Sequence, residues 1–283
     1  MAKYLMFFIA LCLLAPITMT AQEQEQERER PNDSFYDREA VEGREPVKLP
    51  YVREADILWS KRIWQNIDLR QTINQPLYFP ERPTGNNRSL MQLLEDGIRE
   101  GEIRAYDVDD DSFREEPLDP ETLFDDLGRA ETYTPEGQTE EETIFIEFSP
   151  EEVLIFRIKE EWFVDSRRGV MDVRIIGIAP ARLVRDEETG EFLDVFETLF
   201  WVPFEDARPM MANTPVFNRR NDAQQTSFDD FFIRRFFDAT VYREERPDNR
   251  VISEYLDDQL DQLLEAERIQ EEIRNMELDL WKY

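Results

Sequence analysis

Residues 157–182 read R-I-K-E-E-W-F-V-D-S-R-R-G-V-M-D-V-R-I-I-G-I-A-P-A-R. Trp162, Phe163 and Val164 precede the turn Ser166-Arg167-Arg168-Gly169, and Val170, Val173, Ile175, Ile176 and Ile178 follow it. Aromatic and β-branched side chains fit a pleated surface, and glycine alone enters positive φ without strain, so the stretch predicts a β-hairpin. On its N-terminal side Ile144, Ile146 and Phe148 alternate; on its C-terminal side 183–185 lead through Asp186-Glu187-Glu188-Thr189-Gly190 to a returning run from Phe192 to Val202. Strands joined by short turns predict an antiparallel meander. The last run is apolar on both faces, and helices are the available cover.

Two helices follow in the sequence. Thr226 or Ser227 caps a segment over 228–237 in which Phe228, Phe232 and Phe236 recur every four residues, with Phe231 and Phe237 widening the stripe. Ser253 opens a long helix to about Leu280, its Leu256, Leu260, Leu263, Ile269, Ile273, Met276 and Leu280 spaced mainly by threes and fours. That helix is either packed across the sheet or presented to another subunit. Nearer the N-terminus, Asp56 precedes Trp59, Ile63 and Ile67 at four-residue steps, which predicts an amphipathic helix over 56–73 carrying Trp59 and Trp64. A second helix is expected from Ser89 to about Glu100 with Gly101 behind it, then a short strand over 102–106. The fold class expected is α+β: an antiparallel β-meander covered by helices, with an N-terminal helical region and a long C-terminal helix.

The first 21 residues carry Lys3, an apolar run from Tyr4 to Ile17 and a small, polar end at Ala21, the pattern of a secretory signal peptide. The run is shorter than the roughly 20 apolar residues of a spanning helix. Cys12, the one cysteine, follows Leu11 and precedes Leu13-Leu14, unlike a lipidation site, and is read as belonging to the signal. Residues 22–50 form a charged, proline-bearing arm, solvated or ordered on a partner. Residues 51–106 are the N-terminal helical region, 107–142 an acidic connection with a helical turn over 120–127, and 143–283 the sheet with its helices; 51–283 also reads as a single domain.

The chain has no histidine, and beyond residue 21 no cysteine. Disulfides, zinc sites and Cys/His nucleophile systems are thereby excluded from the mature portion. Cleavage after Ala21 removes one lysine and no acid, leaving 33 basic against 64 acidic residues. Nucleic acid is a poor partner for such a surface. Only 5 of the 34 basic residues are lysines, so cations here mostly suit bidentate pairing with carboxylates. A carboxylate pair such as Glu160 with Asp165 would serve a polysaccharide hydrolase if the separation in space were right, although 64 acidic residues create such pairs by chance. Asp107-x-Asp109-x-Asp111 starts like a calcium loop, but Ser112 stands at its sixth position and Leu118 at its twelfth, where glycine and glutamate belong. Phosphate loops, dinucleotide fingerprints and nucleophile elbows are absent from the sequence.

Residues 51–80, Y-V-R-E-A-D-I-L-W-S-K-R-I-W-Q-N-I-D-L-R-Q-T-I-N-Q-P-L-Y-F-P, resemble the start of the GldN/PorN family of gliding motility and type IX secretion proteins. The hairpin, the stretch F-W-V-P-F-E-D-A-R-P-M-M-A-N-T-P-V-F-N-R-R-N-D-A-Q-Q-T-S-F-D-D-F-F and the ending L-L-E-A-E-R-I-Q-E-E-I-R-N-M-E-L-D-L-W-K-Y resemble it equally. The resemblance implies a non-enzymatic periplasmic subunit without cofactor. It also implies a ring built with copies of itself and a PorK/GldK-like outer-membrane lipoprotein, and contact with a PorM/GldM-like periplasmic domain. Candidate partner contacts, each also explicable as core, are Trp59, Trp64, Phe232, Phe236, Phe237 and, on the last helix, Leu264 and Ile273. Salt screens self-repulsion, so the melting temperature is expected to rise between ~0.01 M and ~1 M NaCl. Thermal unfolding followed by circular dichroism checks this, and an unchanged midpoint refutes it.

Overall fold

The computed structural model describes residues 43–84, 87–133, 142–186, 192–217, 226–247 and 250–280. The expected signal peptide, most of the acidic arm and most of the turn over 186–190 lie outside the described residues. In chain order the elements are β1 (Ile57–Asp68), α1 (Gln75–Tyr78), α2 (Leu90–Arg99), α3 (Pro120–Asp126), β2 (Arg129–Tyr133), β3 (Glu142–Ile146), β4 (Val153–Asp165) and β5 (Val170–Arg185). They continue with β6 (Phe192–Thr198), β7 (Val202–Pro203), α4 (Phe204–Asn213), α5 (Phe228–Ile233), β8 (Thr240–Glu244) and α6 (Gln259–Leu280).

The expected hairpin is the β4–β5 pair, matched from Asp165 against Val170 to Val153 against Arg182 with register shifts between Lys159 and Glu160 and between Val153 and Ile155. Its turn closes on Gly169 at φ 64°, and the Asp165 carboxylate accepts from the backbone N–H groups of Arg167 and Arg168. The sheet order is β6-β5-β4-β1-β8, with β7 beside β5, and every pairing is antiparallel. The α+β expectation holds. β2 and β3 form a separate two-stranded ribbon, so residues 142–146 do not extend the meander.

The helix expected over 56–73 is instead β1. A spacing of four puts Trp59, Ile63 and Ile67 on one face of a strand as readily as on one face of a helix. Pairing with β4 on one side and β8 on the other decides between the two. Residues 102–106 are not a strand; Tyr106 alone bridges to Trp201. The returning run breaks after Thr198, and Leu199 and Phe200 turn into the core. α5 ends at Ile233, short of the expected 237, because Arg235 turns the chain at φ 55°. Ser253 lies in a 3-10 turn over Ile252–Glu254, and the last helix starts only at Gln259. The sequence reading missed α4, which runs through Pro209, and β8.

The two faces of the sheet are closed by different means. Phe156, Ile158 and Ile178 meet Leu90, Leu93, Leu94 and Ile98 of α2, Phe204 and Met211 of α4, and Phe228 and Phe232 of α5 in the main core. α2 carries a capping box in which Ser89 and Gln92 bond each other reciprocally, and α5 is capped by Ser227. Further along the same face Ile63 and Val241 take Ala266, Ile269 and Ile273 of α6. On the opposite face a loop over 105–118 lies across the strands. Ahead of β1, residues 43–50 are clasped to α4 and α5: Gly43 donates to Asn213 (2.6 Å), Val47 donates to Asp229 (2.9 Å), and Arg208 holds both the Val47 carbonyl and Asp229. Phe232 has no exposed surface, so Phe232→Ala is expected to cost about 3–5 kcal/mol. A urea midpoint within error of the parent contradicts that core.

Candidate assembly surfaces

On the loop-covered face Trp64 of β1, Lys159 of β4 and Arg243 of β8 converge on Asp111. Its carboxylate accepts from Trp64 Nε1 (3.0 Å), from Lys159 Nζ (3.2 Å) and from Arg243, while Lys159 also donates to the Asp111 carbonyl (2.7 Å). The Arg243 guanidinium lies 3.8 Å and the Lys159 ammonium 5.4 Å from the Trp64 ring centroid. Beside them Phe113 crosses Gly177, where a Cβ would come within 2.7 Å of the ring. Glycine there is what lets the loop approach the sheet. Burial by itself would raise the Asp111 pKa, but the charges of Lys159 and Arg243 outweigh it and hold the carboxyl below the ordinary aspartate value. Burial pulls Lys159 down despite Asp111, so the carboxylate, with two cations around it, is the favoured member of the pair.

The helix-covered face holds a second buried charge. Glu160 is fully buried and accepts from Arg235 (2.5 Å), Gln65 (2.8 Å) and Trp162 Nε1 (3.2 Å), and the Arg235 guanidinium also stacks on Trp162 and Phe237. Asp165 sits at the hairpin turn. Five residues along one strand separate the two carboxylates by about 17 Å and turn them to opposite faces. A glycosidase pair needs about 5–9.5 Å, so Glu160 and Asp165 do not form one. Two aspartates of the calcium-like stretch are otherwise engaged: Asp107 accepts from the Asp109 N–H, and Asp111 is taken by the two cations. Among the described residues no His, Cys, Asp or Glu group is placed to hold a metal ion.

Charge also seats α6. Lys61 reaches Glu244 (2.7 Å) and Glu272 (2.8 Å), and Arg246 and Arg268 converge on Glu265 (3.0 and 2.8 Å). Hydrogen bonding to Arg268 holds the Glu265 carboxyl down at about 2. Of the candidate contacts, Trp64, Phe232, Phe237 and Ile273 are core residues and Trp59 is half-buried against the α6 cluster. Phe236 and Leu264 are exposed. Sequence reasoning overlooked other exposed apolar groups. Among the described residues β6 is the open edge of the sheet, with Phe192 on one face and Leu193 and Val195 on the other, whereas β8 is bridged on its outer side by Arg243 to Val251. Ile144 and Phe145 stand out on the ribbon, and Leu260, Leu263 and Leu278 join the candidate Leu264 on α6.

Residues 52–282 match the family model described as gliding motility associated protein GldN. The chain belongs to the GldN family. Family membership makes it a component of gliding motility and type IX secretion. The GldN match spans every strand and helix named above, together with both sides of the Asp111 contact. No curated protein matches the chain. Among the described residues no helix is long and apolar enough to cross a membrane.

Because the folded pKa of Asp111 is depressed, its stabilisation is present at neutral pH and lost as pH falls below the ordinary aspartate range through the folded value. Asp111→Asn is expected to lower stability at pH 7 by about 1–3 kcal/mol and to flatten the loss below pH ~4. Urea unfolding at the two pH values tests both, and an unaltered acid slope would exclude the titration.

Proposed function

We propose that this GldN-family chain is a periplasmic structural subunit of the type IX secretion and gliding machinery. In this reading it assembles with copies of itself and a PorK/GldK-like outer-membrane lipoprotein into a ring, and contacts a PorM/GldM-like periplasmic domain. It performs no catalysis: its buried charges bind one another and hold the fold. The observation that carries the reading is the family match across nearly all of the folded chain, joined to apolar groups exposed in two separate places. A subunit that meets two neighbours in a ring presents two different surfaces. β6 is one edge of the sheet and α6 packs beside β8 at the other, so the exposed residues of each stand toward opposite ends.

Deleting the gene in its native host is expected to abolish export of a type IX cargo. Affinity purification of the tagged full chain from detergent-solubilised envelopes is expected to recover an outer-membrane lipoprotein. Leu193→Asp with Val195→Asp should cut that recovery or the assembly size by about tenfold or more. Normal export in the deletion strain would overturn the proposal.

A further inference from the structure

α6 is apolar on two sides. Ala266, Ile269 and Ile273 seat it on Ile63 of β1 and Val241 of β8. At about 100° per residue, Leu260, Leu264, Glu267, Arg268, Glu271 and Leu278 fall on the side facing away from that seat, with Arg268 engaged by Glu265 and Glu272. Leu260, Leu264 and Leu278 are 61%, 52% and 55% exposed, and Leu263 borders the same stripe. A one-sided surface helix would place charge there.

The acids divide in the same way. Glu265 and Glu272 are neutralised by Arg246, Arg268 and Lys61. Asp257, Asp261, Glu267 and Glu271 are exposed, and no ion pair reaches them among the described residues. The outward stripe therefore joins leucines to uncompensated negative charge. We propose that it docks a helical segment of a different protein that carries its own leucine-like stripe bordered by lysine or arginine. This rests on the assembly reading and names the chemistry of one partner contact.

Charge decides against a second copy as the occupant: its β6 edge, F-L-D-V-F-E-T, would add two acids and no base, and a second α6 fares no better. Antiparallel pairing of two such helices with Leu260 against Leu278 sets Glu267 opposite Glu271 at both crossings. A parallel pair sets each acid against itself. Either arrangement is repulsive, and the chain's net charge of −30 opposes it further. Anionic lipid is repelled on the same ground. A cationic amphipathic helix gains on both counts, burying the leucines and pairing the acids.

The test titrates the full mature chain with a synthetic leucine–lysine amphipathic peptide and with its leucine–glutamate counterpart at roughly 0.15 M NaCl. The lysine peptide is expected to bind and the glutamate peptide not. Leu260→Ser with Leu264→Ser should weaken binding about tenfold or more, with helicity and melting unchanged. Glu267→Gln with Glu271→Gln should weaken it and flatten its salt dependence. Equal binding by the leucine variant overturns the proposal, as does self-association that the leucine variant abolishes, or uptake onto phosphatidylglycerol vesicles. Export separates the two readings. If deletion abolishes export and the leucine variant restores it fully, the docking face falls and the assembly reading stands; if deletion leaves export intact, the assembly reading falls and the peptide titration still decides the face.

Discussion

The Asp111 carboxylate between Lys159 and Arg243 is the contact through which a loop is held across one face of the sheet. Helices cover the other face with apolar surface, the ordinary solution for an α+β layer. The loop offers a smaller cluster, Tyr106 and Phe113 against Trp64, Ala179 and Trp201. It is fastened besides by one carboxylate that gathers two cations and an indole N–H drawn from β4, β8 and β1, the three strands at that end of the sheet. The cations would be costly to bury alone, and the aspartate would be repelled by its acidic neighbours anywhere else on this surface. Gly177 completes the arrangement by leaving room for Phe113.

What was legible in the sequence was what is local. The β4–β5 hairpin announces itself because its turn residues, its β-branched strands and its glycine act within a few positions of one another. Ser89 with Gln92 and Ser227 with Asp230 mark helix starts for the same reason. β1 was misread because a four-residue spacing satisfies both periods, and only its partners on each side distinguish them. Pro209 concealed α4, since a proline inside a pattern argues against a helix.

The surfaces were harder still. Asp111 was visible only within a failed calcium loop, because its partners Lys159 and Arg243 stand 48 and 132 residues away. Trp64, an interface candidate also explicable as core, is buried under those cations. Conversely, Leu193 and Val195 became surface residues only because the sheet ends at β6, a fact of strand order that no single segment encodes. The absence of histidine and cysteine was the most durable inference from composition, because it depends on no geometry.

The clasp over residues 43–50 has a mechanical meaning. Those residues lie outside the sheet and are held by Asn213, Asp229, Arg208, Asp230 and Arg174 rather than by a strand ladder. Tension entering from the N-terminal side is taken by those few bonds before it reaches β1. The bonds lie ahead of β1 and outside its ladder with β4, so they can open one at a time while that ladder stays closed.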